Sequence, residues 1–198
     1  MIGERLIIFI DGSNLFHGLR YLNVKIDYSK LVEFLKENRH LVRTYFYTAV
    51  PQDKDIKKGS VEWESLIRQK RFLDELALSG IKVKTAKLRK TPKGEYIEKE
   101  VDIMISTDML SLAYQDAYDT ALLVSGDSDF IYTVEEVQRI GKRVENASFK
   151  RTSSYNLRKV CDRFILLDDY LDRFILEEKT LAEESNLWQK IINIWKRS

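Results

Sequence analysis

Two short stretches combine the residue types that do chemistry. Residues 9–14 read FIDGSN and residues 122–130 read LLVSGDSDF, each an apolar run that ends in aspartate beside small residues. Asp11 closes the first; Asp127 and Asp129 follow the second. Carboxylates held close repel one another and lose hydration when partly buried. A cation, a helix cap, or both would offset that cost. A fourth carboxylate is offered by VDIMISTDML (101–110), where Asp102 opens an otherwise apolar stretch. Asp108 follows six residues on, about 120° around a helix of 3.6 residues per turn, so the two need not share a target. Ser106 shares the Asp102 face better.

A cluster of three or four carboxylates selects a hard cation, Mg²⁺ or Mn²⁺, and one cysteine with two histidines argues against zinc. At a phosphodiester, such an ion activates water and stabilises the leaving oxygen. Metal-dependent phosphodiester hydrolysis is therefore the chemistry this pattern fits best. A purely structural reading stays open beside it. Asp129 could cap the helix FIYTVEEVQRIGK, and Asp11 could support its own turn.

The elements that must position these groups are legible as short apolar runs. Strands are expected at 6–10, 42–50, 81–88, 121–125, 143–149 and 164–168, with helices at 27–38, 61–80, 100–115, 129–140 and 153–162. A further helix follows the DGSN turn, and Gly80 reads as the glycine just past the second long helix. Strands alternating with helices indicate an α/β fold with a parallel sheet covered on both faces. In such sheets sites form outside the carboxyl ends of the strands. If the first strand neighbours ALLVS, the three strand-end carboxylates converge. KLRKTPKGEYIEKE (87–100) breaks the rhythm and reads as a β-hairpin arm.

Composition bounds the rest. The 198 residues are 44% hydrophobic and 32% charged, which describes a globular chain, and a net charge of +2 predicts no polyanion partner by itself. The lone Cys161 excludes an intramolecular disulfide and reads as a core thiol. The apolar run in MIGERLIIFID is too short for a signal peptide or a membrane span, so the expectation is a cytoplasmic protein without a membrane partner.

FIDGSNLFHGLR, KEVDIMISTDML and LLVSGDSDF, in that order, resemble the NYN domain, the LabA group of the PIN-like nucleases. The resemblance covers about residues 4–170 and takes in GKRVE (141–145) and SSYNLRKVCDRFILL (153–167). It implies a PIN-like three-layer sandwich with a central, mainly parallel sheet, a divalent-metal site and, as in several members, ribonuclease activity. On this resemblance residues 1–172 form the nuclease domain and 173–198 a C-terminal helical tail. The family's acidic site falls on Asp11, Asp102, Asp127 and Asp129 as metal ligands. Asn14 would orient water or phosphate, Asp108 would hold the ligands in place with Ser13 and Ser125, and Lys99 would bind phosphate. Ile131 and Tyr132 stand where members often carry proline, which alters the turn but no carboxylate.

The segment 81–94 holds Lys82, Lys84, Lys87, Arg89, Lys90 and Lys93 with no acid. Beside a metal site such an arm would hold RNA phosphates without sequence preference; otherwise it is a solvated edge. Arg151 is a further candidate at the rim. His17 reads as a partly buried structural histidine and Phe46 as core. In NLWQKIINIWKRS (186–198), Trp188, Ile191, Ile192 and Trp195 share one face, suited to the chain's own core or to a homodimer contact. The leading expectation is an endonucleolytic, Mg²⁺- or Mn²⁺-dependent ribonuclease. The alternatives are a non-catalytic, regulatory RNA-binding protein and a phosphatase, the latter disfavoured because DGSN lacks an Asp-x-Asp pair.

Overall fold

The computed structural model describes residues 3–52, 56–90, 96–97 and 100–176. Six parallel strands form the centre: β1 (Arg5–Asp11), β2 (His40–Pro51), β3 (Lys82–Lys90), β5 (Thr120–Val124), β6 (Arg143–Ser148) and β7 (Arg163–Leu166). A two-residue β4 (Tyr96–Ile97) pairs antiparallel with the end of β3, giving the order β4-β3-β2-β1-β5-β6-β7. The chain thus builds outward from β1 in one direction, then restarts beside it at β5 and builds in the other. That reversal puts a crevice between the carboxyl ends of β1 and β5.

Strand alternation divides the core into two layers. Leu6, Ile8 and Ile10 of β1 pack with Leu15 and Leu19 of α1 (Gly12–Leu22) and with Leu31 and Leu35 of α2 (Tyr28–Lys36). Leu73 and Leu76 of α3 (Val61–Leu78) join that side. Ile7 and Phe9 face the opposite way, against Ile105 and Met109 of α4 (Val101–Tyr114) and Val134 and Val137 of α5 (Ile131–Arg139). Leu157 of α6 (Tyr155–Val160) completes this layer. The result is an α/β sandwich of three layers, as expected. Each such side chain contributes about 1.5–3 kcal/mol by burial, so the two cores carry the stability and the strand ends can tolerate groups that repel.

The helix ends follow their sequence signals. Asp27 caps α2 by accepting the Ser29 and Lys30 amides at 2.8 and 3.1 Å. Gly80, at φ +91°, lies just past α3, and the Ile81 amide donates back to the Leu76 carbonyl at 3.1 Å. Phe46 is core, and the partly buried Cys161 has its thiol pushed up to about 12 by burial and by Asp162.

A 3-10 turn (Leu167–Arg173) leads to a fully buried Phe174, and Ile175 pairs with Ile26. The strand expected at 164–168 ends at Leu166, and the chain then returns across α2. The amphipathic segment 186–198 lies outside the described residues.

Candidate active site

Asp11 is the last residue of β1 and is 4% exposed. Its Oδ1 accepts the Asn14 amide at 3.0 Å, which caps α1, and its Oδ2 accepts the Ser125 hydroxyl at 2.9 Å. Ser125, just past β5, also accepts the Asp127 amide at 3.2 Å. Asn14 Oδ1 reaches across to accept the Gly126 amide at 3.0 Å. The ends of β1 and β5 are therefore laced together by short polar side chains. The small residues that flank the aspartates in the sequence are the ones that make this lacing.

Asp127 Oδ1 accepts the Asp129 amide at 3.0 Å and so caps a 3-10 turn (Ser128–Phe130) that precedes α5. The capping role expected of Asp129 belongs to Asp127, because the extra turn shifts the start of the helix. Asp127 is half-buried and Asp129 exposed.

Asp102 supplies the third chain segment, from the first turn of α4. Solvent reaches much of the residue, yet its carboxyl sits above the ordinary carboxylate range. Lost hydration is the largest cause, followed by the charges of Asp11, Asp127 and Asp129. Four carboxylates from β1, α4 and the β5 turn thus share one electrostatic neighbourhood. Among the described residues no three acidic, histidine or cysteine side chains are already drawn to metal-ligating distance.

The raised Asp102 carboxyl predicts a pH signature. A raised folded-state pKa means the group favours the fold while protonated, and this contribution is lost as pH rises through the raised value. In chelator at neutral pH, Asp102→Asn is therefore expected to unfold at a higher temperature than wild type. The gap should close as pH falls toward about 4. Thermal unfolding of both proteins across that range checks it.

Asp108 is not part of this neighbourhood's described contacts. Its Oδ2 accepts the Tyr47 hydroxyl and the Lys84 ammonium, both at 2.6 Å. The pair fastens α4 to β2 and β3, and burial, followed by the bond to this carboxylate, drives the Tyr47 hydroxyl far above its usual range. These contacts seat α4, the helix that carries Asp102. Lys84, read as part of an acid-free arm, is paired.

The remaining candidates are scattered. Ser13 lies half-buried in the first turn of α1, and Lys87 is exposed on β3. Arg89 and Lys90 end β3, opposite Ile97 and Tyr96 of the hairpin; their side chains, Lys93 and Lys99 lie outside the described residues. Arg151 lies over the Tyr21 ring at 4.4 Å. His17 is exposed rather than partly buried, since α1 turns Leu15, Gly18 and Leu19 inward.

Sequence reasoning missed how tightly the loop after β6 closes on the site. The Ser154 amide donates to the Gly126 carbonyl at 2.9 Å. A Cβ on Gly126 would lie 1.9 Å from the Thr152 carbonyl oxygen. Ser153 Oγ is buried there and makes no hydrogen bond among the described residues. The Ser-Ser pair beside a glycine-bearing strand end was the available signal.

The family model of the NYN domain matches residues 5–168. The chain belongs to the NYN domain family. NYN domains sit in the PIN-like nuclease superfamily; they generally bind RNA, are generally nucleases and usually use divalent metals. This NYN domain is 28% identical over 173 residues to the Low amplitude and bright protein LabA of Synechococcus elongatus, covering 84% of this chain and 85% of LabA. Its fold is similar to the crystal structure of a Vibrio parahaemolyticus protein of unknown function, with a TM-score of 0.69 and 24% identity. That likeness covers 88% of this chain and 98% of the other. No helix among the described residues is long and apolar enough to cross a membrane.

Proposed function

We propose that this NYN domain is a Mg²⁺- or Mn²⁺-dependent ribonuclease that hydrolyses RNA endonucleolytically at the crevice between β1 and β5. The observation that carries the reading is the convergence of Asp11, Asp127 and Asp129 on Asp102, whose carboxyl is held above the ordinary range by lost hydration and then by their charges. A carboxylate held among three others gains from a cation, and an all-oxygen donor set fits a hard one. Asp102, Asp127 and Asp129 would hold it, with Asp11 contributing from its hydrogen-bonded position. When bound, the ion supplies positive charge that acidifies water and steadies the charge developing on the phosphate.

The chain's own residues do the positioning. Asp11, Ser125 and Asn14 fix the two strand ends relative to each other, and Asp127 is oriented by the Asp129 amide. With its oxygen committed to Gly126, Asn14 has its amide NH₂ left as the group suited to a phosphate oxygen or water. Lys87, Arg89, Lys90, Lys93 and Lys99 of the hairpin arm would hold the strand by its phosphates.

A second reading, a non-catalytic RNA-binding protein, draws on the Asp11 carboxylate, both of whose oxygens already serve structural hydrogen bonds. The test is to incubate the protein with labelled single-stranded and hairpin RNAs in Mg²⁺, Mn²⁺ or EDTA. Products are expected with metal alone, and small phosphate esters should remain intact. RNA binding without products in any condition would favour the second reading.

A further inference from the structure

The loop after β6 borders a second recess. Its Thr152 and Ser153 lie against Gly126 in the crevice, while the residues just before them, Lys150 and Arg151, line a cleft of about 480 Å³. Tyr21 and Leu22 from the end of α1, Phe149 and Asp168 complete it. Tyr21 is 60% exposed, a large ring that the fold leaves in solvent. The Arg151 guanidinium carbon lies 4.4 Å from the centroid of that ring. Phe149 is buried beneath, pressed so close to α1 that a Cβ on Gly18 would lie 2.3 Å from its ring. The Asp168 carboxylate accepts the Lys150 amide at 2.7 Å and so fixes the loop.

We propose that this cleft binds one unpaired nucleotide of the RNA strand whose neighbouring phosphate lies over the carboxylate crevice. The base stacks on the Tyr21–Arg151 pair, and Lys150 and Arg151 hold the backbone. The proposal rests on the ribonuclease reading for its crevice, but three observations carry it separately.

Size is the first, since about 480 Å³ falls among pockets that take a single small ligand. Charge is the second. Two exposed cations face one carboxylate, an oxygen of which is already occupied by a backbone amide. Reach is the third. Arg151 and Ser153 are two residues apart, at most about 7 Å along an extended chain, a span that one extended nucleotide bridges. An exposed ring beside a guanidinium is of little use to a duplex, whose base faces are covered by their neighbours. It suits a splayed strand, in which every base has a face to offer.

The test measures binding by the full chain to a labelled single-stranded RNA and to the same RNA annealed to its complement. Binding is followed by fluorescence anisotropy in EDTA, and cleavage kinetics in Mn²⁺. Tyr21→Ala and Arg151→Ala are each expected to weaken single-strand binding roughly tenfold. Tyr21→Phe should bind as wild type does, and duplex binding should not respond to Tyr21→Ala. In cleavage, KM should rise with kcat nearly unchanged. Unaltered single-strand binding by Tyr21→Ala, or an equal loss on duplex, would overturn the proposal. Tyr21-dependent binding without any cleavage would uphold the cleft and remove the ribonuclease reading. Cleavage with a KM indifferent to Tyr21 would do the reverse, and no RNA binding at all would remove both.

Discussion

Asp127→Asn is expected to lower metal-dependent RNA cleavage by roughly 10³-fold or more while leaving the fold and RNA binding in place. The substitution is unusually clean at this position. Asp127 has two separable roles: Oδ1 accepts the Asp129 amide, and the carboxylate adds charge to the crevice. Asparagine keeps an acceptor for the amide, so the 3-10 turn retains its cap. Only the charge is removed. Asp11 offers no such separation, because both its oxygens serve hydrogen bonds that join β1 to α1 and to β5. Circular dichroism and RNA binding, measured beside cleavage, decide the matter. If all three fell together, Asp127 would be a structural residue and nothing more.

Gly126→Ala should damage the protein by another route, costing about 3 kcal/mol of stability or more. The new methyl carbon would stand 1.9 Å from the Thr152 carbonyl oxygen, 2.5 Å from its carbon and 2.8 Å from the Ser153 Cα. These are backbone atoms and cannot swing aside as a side-chain tip can. Relief requires the 150–154 loop to lift. Lifting breaks the bond from the Ser154 amide to the Gly126 carbonyl and strains the one from Gly126 to Asn14. At about 2–4 °C per kcal/mol for a chain of this size, the melting temperature should fall by roughly 10 °C. A urea or thermal melt checks this, and a loss below about 1 kcal/mol would mean the loop yields freely. Cleavage should fall as well, because the same loop walls the crevice.

The sequence carried the sheet and the strand-end aspartates because both depend on local pattern. A short apolar run bounded by turn residues, such as LLVS, favours a buried strand, and aspartate with glycine and serine at its end favours a turn. What it could not carry were contacts set by tertiary approach. Asp108 meets Tyr47 and Lys84 from segments 61 and 24 residues away, so neither the pairing nor the neutralised lysine has a local signature. The capping role of Asp127 depended on a single turn of 3-10 helix, which moves the start of the helix by the two residues that separate the candidate caps. Phe174 entered the core because the chain doubles back to pair with Ile26, a long-range event with no periodicity to announce it.

Whether the four carboxylates form a divalent-cation site is decided by adding Mn²⁺ to the thermal unfolding of wild type and Asp102→Asn. Without metal at neutral pH the variant should be the more stable of the two, because it is relieved of the lost hydration and the repulsion that act on the Asp102 carboxylate. A saturating cation should raise the wild-type transition by mass action and the variant's far less, inverting the order. If Mn²⁺ left wild type unmoved and the variant still ahead, the crevice would be a cluster of structural aspartates and the ribonuclease account would fall with it.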